Sequence, residues 1–255
     1  YDWRIYPGIE ASYELNARSK MYASVNHSLR LPSFTDLYYE SPANIGNPEL
    51  KPEESLSYET GIKSFSSSFE GNVSFFYRQG KNIIDWIRQS DSLLWKSRNH
   101  TNLSTYGAEF SGKIKGRAIW GNKPWINTIR FGYTYINSDK ASGRYLSTYA
   151  LDYVQQKAYL DVSKLFFKQK LGFNLIAQYQ DRAGTYTSFP DGSEIAYKPV
   201  FLLDARIFYK LKHFYVYIES NNITDETYRD IGHVQMPGRW IRGGLTLNFN
   251  FTEEE

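Results

Sequence analysis

The sequence has no cysteine and only four histidines among 255 residues. The first absence excludes a disulfide framework and a thiolate metal site. The histidines (His27, His100, His213 and His233) offer no pair at the i, i+4 spacing of a helical metal site. Long apolar runs are missing too. A membrane helix needs roughly 18 or more, and the longest purely apolar clusters are no bigger than Leu165-Phe166-Phe167. No secretory leader is visible. The chain opens on Tyr1, which reads as a processed product or a fragment. Net charge is only +3, too small and too dispersed to argue for nucleic acid. A mean hydropathy of −0.54 looks soluble. A membrane β-barrel escapes that test, because its strands alternate lipid-facing and lumen-facing residues.

What is abundant is aromatic: 17 % of residues, 22 of them Tyr. Tyr and Trp suit interfaces that are apolar at one end and wet at the other. The dominant periodicity is two. Ile241, Gly243, Leu245, Leu247, Phe249 and Phe251 alternate with Arg242, Gly244, Thr246, Asn248 and Asn250. Leu171, Phe173, Leu175, Ala177 and Tyr179 alternate with polar residues in the same way, broken by Ile176. Such spacing lacks the three- and four-residue recurrence of a helix. About eleven strands follow, over roughly 5–17, 20–31, 54–65, 69–79, 103–115, 125–137, 150–164, 170–180, 199–210, 214–221 and 239–251. Many reach the roughly 9–11 tilted residues that cross a bilayer. Short links near Arg18, Ser67, Lys168 and Lys212, with a longer one at Gly116–Pro124, alternate with long links over 32–53, 80–102, 138–149, 181–198 and 222–238. Turns on one rim and long loops on the other describe an outer-membrane barrel, and a soluble sandwich has no reason to sort its loops so. The fold class expected is therefore all-β: an antiparallel transmembrane β-barrel segment over 1–251, followed by a short acidic tail at 252–255.

Several segments resemble a known family. Leu29-Arg30-Leu31-Pro32-Ser33-Phe34-Thr35-Asp36-Leu37-Tyr38, with Gly46-Asn47-Pro48-Glu49-Leu50-Lys51-Pro52-Glu53 and Tyr58-Glu59-Thr60-Gly61, is similar to the paired loop motifs of TonB-dependent outer-membrane receptors. Ile83-Ile84-Asp85-Trp86, Tyr106-Gly107-Ala108-Glu109-Phe110, Asn221-Asn222-Ile223-Thr224-Asp225 with Tyr228, and Met236-Pro237-Gly238-Arg239 follow in the family's order. The resemblance implies a 22-stranded barrel with a plugged lumen, of which about eleven strands are the C-terminal half. It implies as partners the N-terminal barrel half and plug, TonB through that plug, outer-membrane lipid and a large nutrient ligand; a surface lipoprotein is a further candidate. The Gly46–Pro52 motif and Asp152-Tyr153-Val154-Gln155-Gln156-Lys157 resemble the cobalamin-receptor branch. Haem, ferric-siderophore and glycan receptors are the alternatives within the family, and a passive porin or an outer-membrane hydrolase outside it. The family ends on a terminal aromatic, whereas Thr252 and three Glu follow Phe251 here.

Charges on the faces opposite the apolar rows are expected to look into the lumen, because Arg or Lys facing mid-bilayer lipid costs about 2–4 kcal/mol. They are Glu10, Glu14, Glu59, Lys63, Glu70, Arg78, Glu109, Lys113, Arg130, Asp161, Asp204, Arg206 and Glu219, and cross-strand pairing is their plainest role. Loops carry binding function, so ligand contact is assigned to Tyr38, Tyr39, Asn44, Trp86, Arg88, Trp95, Arg98, Tyr153, Tyr186, Phe189 and Arg229, with Tyr149, Asp191 and Tyr197 beside them. Interface packing is the competing role. No cofactor, metal or catalytic residue is assigned. The sets Ser104/His100/Asp91 and Ser220/Asp230/His233 sit in no nucleophile turn, and Pro32–Asn47 holds no histidine for haem.

Overall fold

A computed structural model describes residues 3, 5–88, 94–140, 146–147, 153–188, 192–230 and 234–247. Eleven principal strands run in chain order, each antiparallel to the next. They are β1 (Gly8–Asn16), β2 (Ser19–Arg30), β3 (Glu53–Phe65), β4 (Phe69–Arg88), β5 (Trp95–Lys115), β6 (Thr128–Lys140), β7 (Val154–Phe166), β8 (Leu171–Arg182), β9 (Val200–Lys210), β10 (Phe214–Asn221) and β11 (Trp240–Leu247). Two five-residue helices interrupt them, α1 (Phe34–Tyr38) and α2 (Gly116–Trp120). Short strands at Glu40–Ser41, Asn44–Ile45 and Leu146–Ser147 attach to the same sheet, and Thr185–Thr187 pairs with Glu194–Ala196. The sheet is a partial barrel. The expected strands are all present, most with bounds shifted by a few residues, while β4 and β5 run well past their expected ends on the loop side. Phe189, Tyr149, Asp191, Asp152, His233, Asp91, the side chain of His100, Phe249, Phe251 and the tail lie outside the described residues.

Register sorts the side chains into two faces. One row runs Tyr13–Met21–Ile62–Val73–Phe110–Tyr133 across six strands. Another runs Phe166–Leu171–Tyr209–Val216–Leu245. Such side chains stay well exposed, Ile62 by 46 % and Leu245 by 61 %. A row of that kind in water would be an aggregation surface; in lipid it is the expected outer face. The charges read as inward all fall on the opposite face. There Arg130 donates to Asp161 at 3.0 Å, Tyr22 donates to Glu59 at 2.8 Å, and Arg206 lies 3.5 Å from Glu219, which also receives Arg242.

One expectation fails. Residues 80–88 and 94–102 are not an open loop: β4 and β5 run 20 and 21 residues and remain paired far beyond their neighbours. Gly80-Lys81-Asn82 opens the long link expected over 80–102. In the structure it forms an irregularity, with register shifts between Gly80 and Ile84 and a left-handed Asn82 (φ 54°). A bulge absorbs extra residues and bends the strand without ending it. Beyond it, pairing resumes from Ile83 opposite Thr101 to Ile87 opposite Lys96. Ile84, Trp86 and Ile87 on this extension are buried, as are Asp85 and Ser97. The tightest apolar packing thus lies on the loop rim.

Candidate functional site

The first long loop, 31–52, folds down on the β4–β5 extension. Ser33 caps α1: its hydroxyl accepts from the Asp36 N–H at 3.1 Å, and the Asp36 carboxylate accepts from the Ser33 N–H at 3.0 Å. This reciprocal arrangement satisfies two orphan donors at a helix start. The other Asp36 oxygen accepts the Trp86 indole N–H at 3.2 Å, so one buried carboxylate ties loop to hairpin. Arg30 grips Glu53 in a two-pronged pair at 2.6 and 2.5 Å, and the same Glu53 accepts the Ile84 N–H at 2.8 Å. Asn99 accepts from the Lys51 N–H at 2.7 Å and donates to the Lys51 and Asn82 carbonyls at 2.8 and 2.7 Å. Asn44–Ile45 lies parallel to Trp95–Lys96. Gly46 passes so close to α1 that a β-carbon there would stand 2.9 Å from the Leu37 backbone.

Seven assigned ligand residues come together on this unit. Tyr38 is 56 % exposed, its ring 4.9 Å from Phe34. Tyr39 is exposed and meets Trp86 edge-on at 6.2 Å. Asn44 donates to the Ser41 hydroxyl at 3.1 Å. The Arg88 guanidinium lies 4.5 Å over the Trp95 ring, an arrangement that favours cation–π attraction. Arg98 lines a polar cavity of about 500 Å³ with Gly46, Asn47, Glu49 and Lys96. Trp86 differs from the others: only 8 % exposed, its indole N–H bonded to Asp36, it holds the loop to the hairpin and presents no face to a ligand in this structure.

A second unit gathers around the end of β8 and the two later loops. Tyr186 packs 5.3 Å from Tyr197, the Arg229 guanidinium stands 5.1 Å over Tyr186, and Arg182 stands 5.6 Å over Tyr197 while pairing with Asp230. Asn222 organises the base. It adopts a left-handed backbone (φ 49°), donates its N–H to Asp204 at 2.8 Å and bonds Glu226 through both amide atoms at 2.8 and 2.9 Å. Asn and Asp tolerate that conformation best among side-chain-bearing residues. Burial, with Asp230 and Asp204 nearby, raises the Tyr228 hydroxyl above its ordinary value. Tyr153 stands apart, accepting the Ser138 N–H at 2.9 Å. Among the described residues no three His, Asp or Glu gather for a metal ion.

Sequence reading missed the residues that assemble these units. Asp36 carried a signal, the Ser-x-x-Asp spacing of a cap. Glu53 stood in the second loop motif with no partner assigned, and Asn99 and Arg182 carried no signal, because their partners are distant in sequence: Asn99 is 48 residues from Lys51, and Arg182 is 48 from Asp230.

Comparison with known proteins fits this geometry. The family described as "TonB dependent receptor-like, beta-barrel" matches residues 1–223. The vitamin B12 transporter BtuB of Vibrio vulnificus (strain YJ016) is 29 % identical over 161 residues, 51 % of this chain and 26 % of that protein. Among solved structures, the ferripyoverdine receptor of the Pseudomonas aeruginosa outer membrane superposes with a TM-score of 0.72 at 21 % identity, covering 96 % of this chain and 33 % of that one. The FrpB iron transporter of Neisseria meningitidis (F3-3 variant) gives 0.70 at 15 % identity, with 96 % and 39 % covered. The chain thus spans well under half the length of these relatives. With a family match over most of its length and eleven antiparallel strands of the right length and facing, the chain belongs to the TonB-dependent receptors of the outer membrane, as part of their β-barrel.

Proposed function

We propose that the complete receptor binds a bulky amphipathic nutrient of the cobalamin class at its extracellular mouth and imports it, without covalent chemistry. The observation that carries this reading is the 161-residue similarity to a vitamin B12 transporter. The loop geometry supports it. Both rim units are built from Tyr, Trp and Arg, with Tyr38 and Tyr39 exposed. Tyr and Trp cover a large, flat, amide-rimmed ligand with little loss of rotamer freedom and still offer a polar atom. A haem site would instead need an axial imidazole or comparable ligand. The rest of the barrel, the plug that occupies it and TonB acting through that plug are the partners this reading requires.

Two variants of the whole receptor test it, both checked for surface display. One replaces Tyr38, Tyr39 and Trp95 by Ala and leaves the Trp86–Asp36 tie intact. The other replaces His100 and His233. Truncating a well-buried aromatic anchor often costs about 2 kcal/mol or more, roughly a thirtyfold loss of affinity. Cyanocobalamin binding is expected to fall by at least that factor in the first variant and to persist in the second. Loss in the histidine variant alone, with haem as the ligand, would overturn the assignment. So would tighter binding of a ferric siderophore by the unaltered receptor. Uptake indifferent to collapse of the proton-motive force would point to a passive pore.

A further inference from the structure

On the lipid-facing side of the strands, charge is confined almost entirely to the loop rim. In the half nearer the short turns, the described strands place one charged residue on that face: Lys164, on β7, between lipid-facing Val162 and Phe166 and opposite Phe173. A cation so placed is costly unless it reaches the interface or finds a partner. Lys164 is half-buried, and its ammonium donates to the Pro124 carbonyl in the β5–β6 connection and stands 5.4 Å over the Phe166 ring. Around it opens a cavity of about 520 Å³ whose lining includes Arg117, Lys123 and Lys168 and no acidic side chain. No ion pair engages any of these four cations among the described residues.

The surroundings are those of a membrane interface. Trp120, Trp125, Phe166 and Phe167 are exposed, Trp125 by 84 % and Phe167 by 74 %. Aromatic rings of this kind collect at headgroup level. The β7–β8 turn holds Phe167, Lys168 and Gln169 all left-handed (φ 49°, 55° and 69°). Three successive side-chain-bearing residues in that region are uncommon and mark a turn whose shape is held at some cost. The effect is to place an aromatic ring and a cation side by side at the cavity mouth.

We infer that this cavity binds the phosphate headgroup of an anionic phospholipid in the inner leaflet of the outer membrane, with Lys164, Lys168, Lys123 and Arg117 meeting the phosphate and the exposed aromatics meeting the glycerol and upper acyl chain. Charge complementarity selects the headgroup, since basic pockets at a membrane surface take anionic lipid. The lipid-facing position of Lys164, with exposed Phe166 and Phe167 beside it, favours a membrane lipid over a soluble anion. The inference rests on the outer-membrane placement and not on the identity of the nutrient.

The test titrates the full-length receptor, in neutral detergent, with phosphatidylglycerol and with phosphatidylcholine, counting bound lipid by native mass spectrometry. Each cation near a lipid surface is worth about fivefold in affinity for anionic lipid. The unaltered receptor should prefer phosphatidylglycerol, and Lys123→Gln with Lys168→Gln should weaken that lipid about 25-fold while leaving phosphatidylcholine unchanged. Both residues are exposed turn positions, so the barrel tolerates the change. Lys164→Gln should weaken it further, and Lys212→Gln, on another turn of the same rim, should not. No preference for phosphatidylglycerol in the unaltered receptor would overturn the inference. An equal loss in Lys212→Gln would do so as well, by reducing the effect to general rim charge. Displacement of the lipid by millimolar inorganic phosphate would assign the site to a soluble anion.

Discussion

The facing of β11 can be tested by depth. Leu247 lies opposite Phe214, the first residue of β10; Leu245 lies opposite Val216 and Ile241 opposite Ser220. A strand rises about 3.3 Å per residue and tilts about 40° in a membrane barrel. Leu247 is then level with the turn rim, Leu245 about 5 Å above it and Ile241 about 15 Å above it, close to the middle of an apolar band about 25 Å tall. All three are exposed, Ile241 by 61 %. Arg costs about 2–4 kcal/mol at the midplane and about 0–1 near the interface. Three Arg variants of the complete receptor should therefore lose stability in the order Ile241, then Leu245, then Leu247. Thr246→Arg, on the lumen face opposite Tyr215, should lose far less than Ile241→Arg. The assay is urea unfolding of receptor refolded into lipid vesicles, read by the folded-to-unfolded gel shift. If Thr246→Arg costs as much as Ile241→Arg, or if the order inverts, the facing or the depth scale is wrong.

Asp36→Ala should loosen the first loop, because it removes the carboxylate half of the α1 capping box, while the Ser33 cap on the residue-36 N–H remains, and takes away the acceptor of the Trp86 indole N–H. Losing a buried hydrogen bond of this kind costs about 1–3 kcal/mol, so protease cleavage within 31–52 should rise and Trp86 emission shift red; an unchanged digest would show the tie to be idle. Gly46→Ala drives a methyl to 2.9 Å from the Leu37 backbone and should expose the same segment at a cost of about 1–3 kcal/mol, whereas an equal cleavage rate would mean the approach relaxes freely. The isolated 255-residue chain should not persist as a folded monomer without detergent, since β1 and β11 present open edges and an unpaired backbone group in lipid costs several kcal/mol. A sharp monomer peak with native-like circular dichroism in plain buffer would refute that.

The barrel was legible in the sequence because lipid enforces alternation. A residue such as Val73 or Leu245 must be apolar, and its neighbours Ser74 and Thr246 are released from that demand, so period two survives along each strand. Nothing comparable governs the loop rim. Ile83-Ile84-Asp85-Trp86 was recognisable as a strand end. The Gly80-Lys81-Asn82 irregularity hid the fact that the strand continues to Arg88. The candidate binding residues were legible as types and not as groups. Tyr186 and Arg229 meet only because β8 and the last loop arrive at the same corner. Trp86 shows the limit most clearly: in sequence it is a loop aromatic like Trp95, and the difference lies in Asp36, fifty residues away.

Strand parity constrains what completes the barrel. Each principal strand is antiparallel to the next, so β1 and β11, separated by ten reversals, point the same way. Direct closure of β11 on β1 would make one parallel seam in an otherwise antiparallel sheet. An all-antiparallel barrel therefore needs an odd number of further strands between them. A second copy of these eleven strands does not meet both demands, antiparallel pairing and one sidedness. Turned about the barrel axis it meets each edge with a parallel strand. Turned about an axis in the membrane plane it pairs antiparallel, but it then carries its long loops, with Trp95 and Arg229, on the side where the first copy has its short turns. The loops and the basic turn rim around Lys164 are chemically unlike, and an asymmetric membrane presents each with a different medium. Antiparallel pairing on both described edges with one sidedness thus calls for an odd strand count, which the remainder of the barrel proposed above would supply.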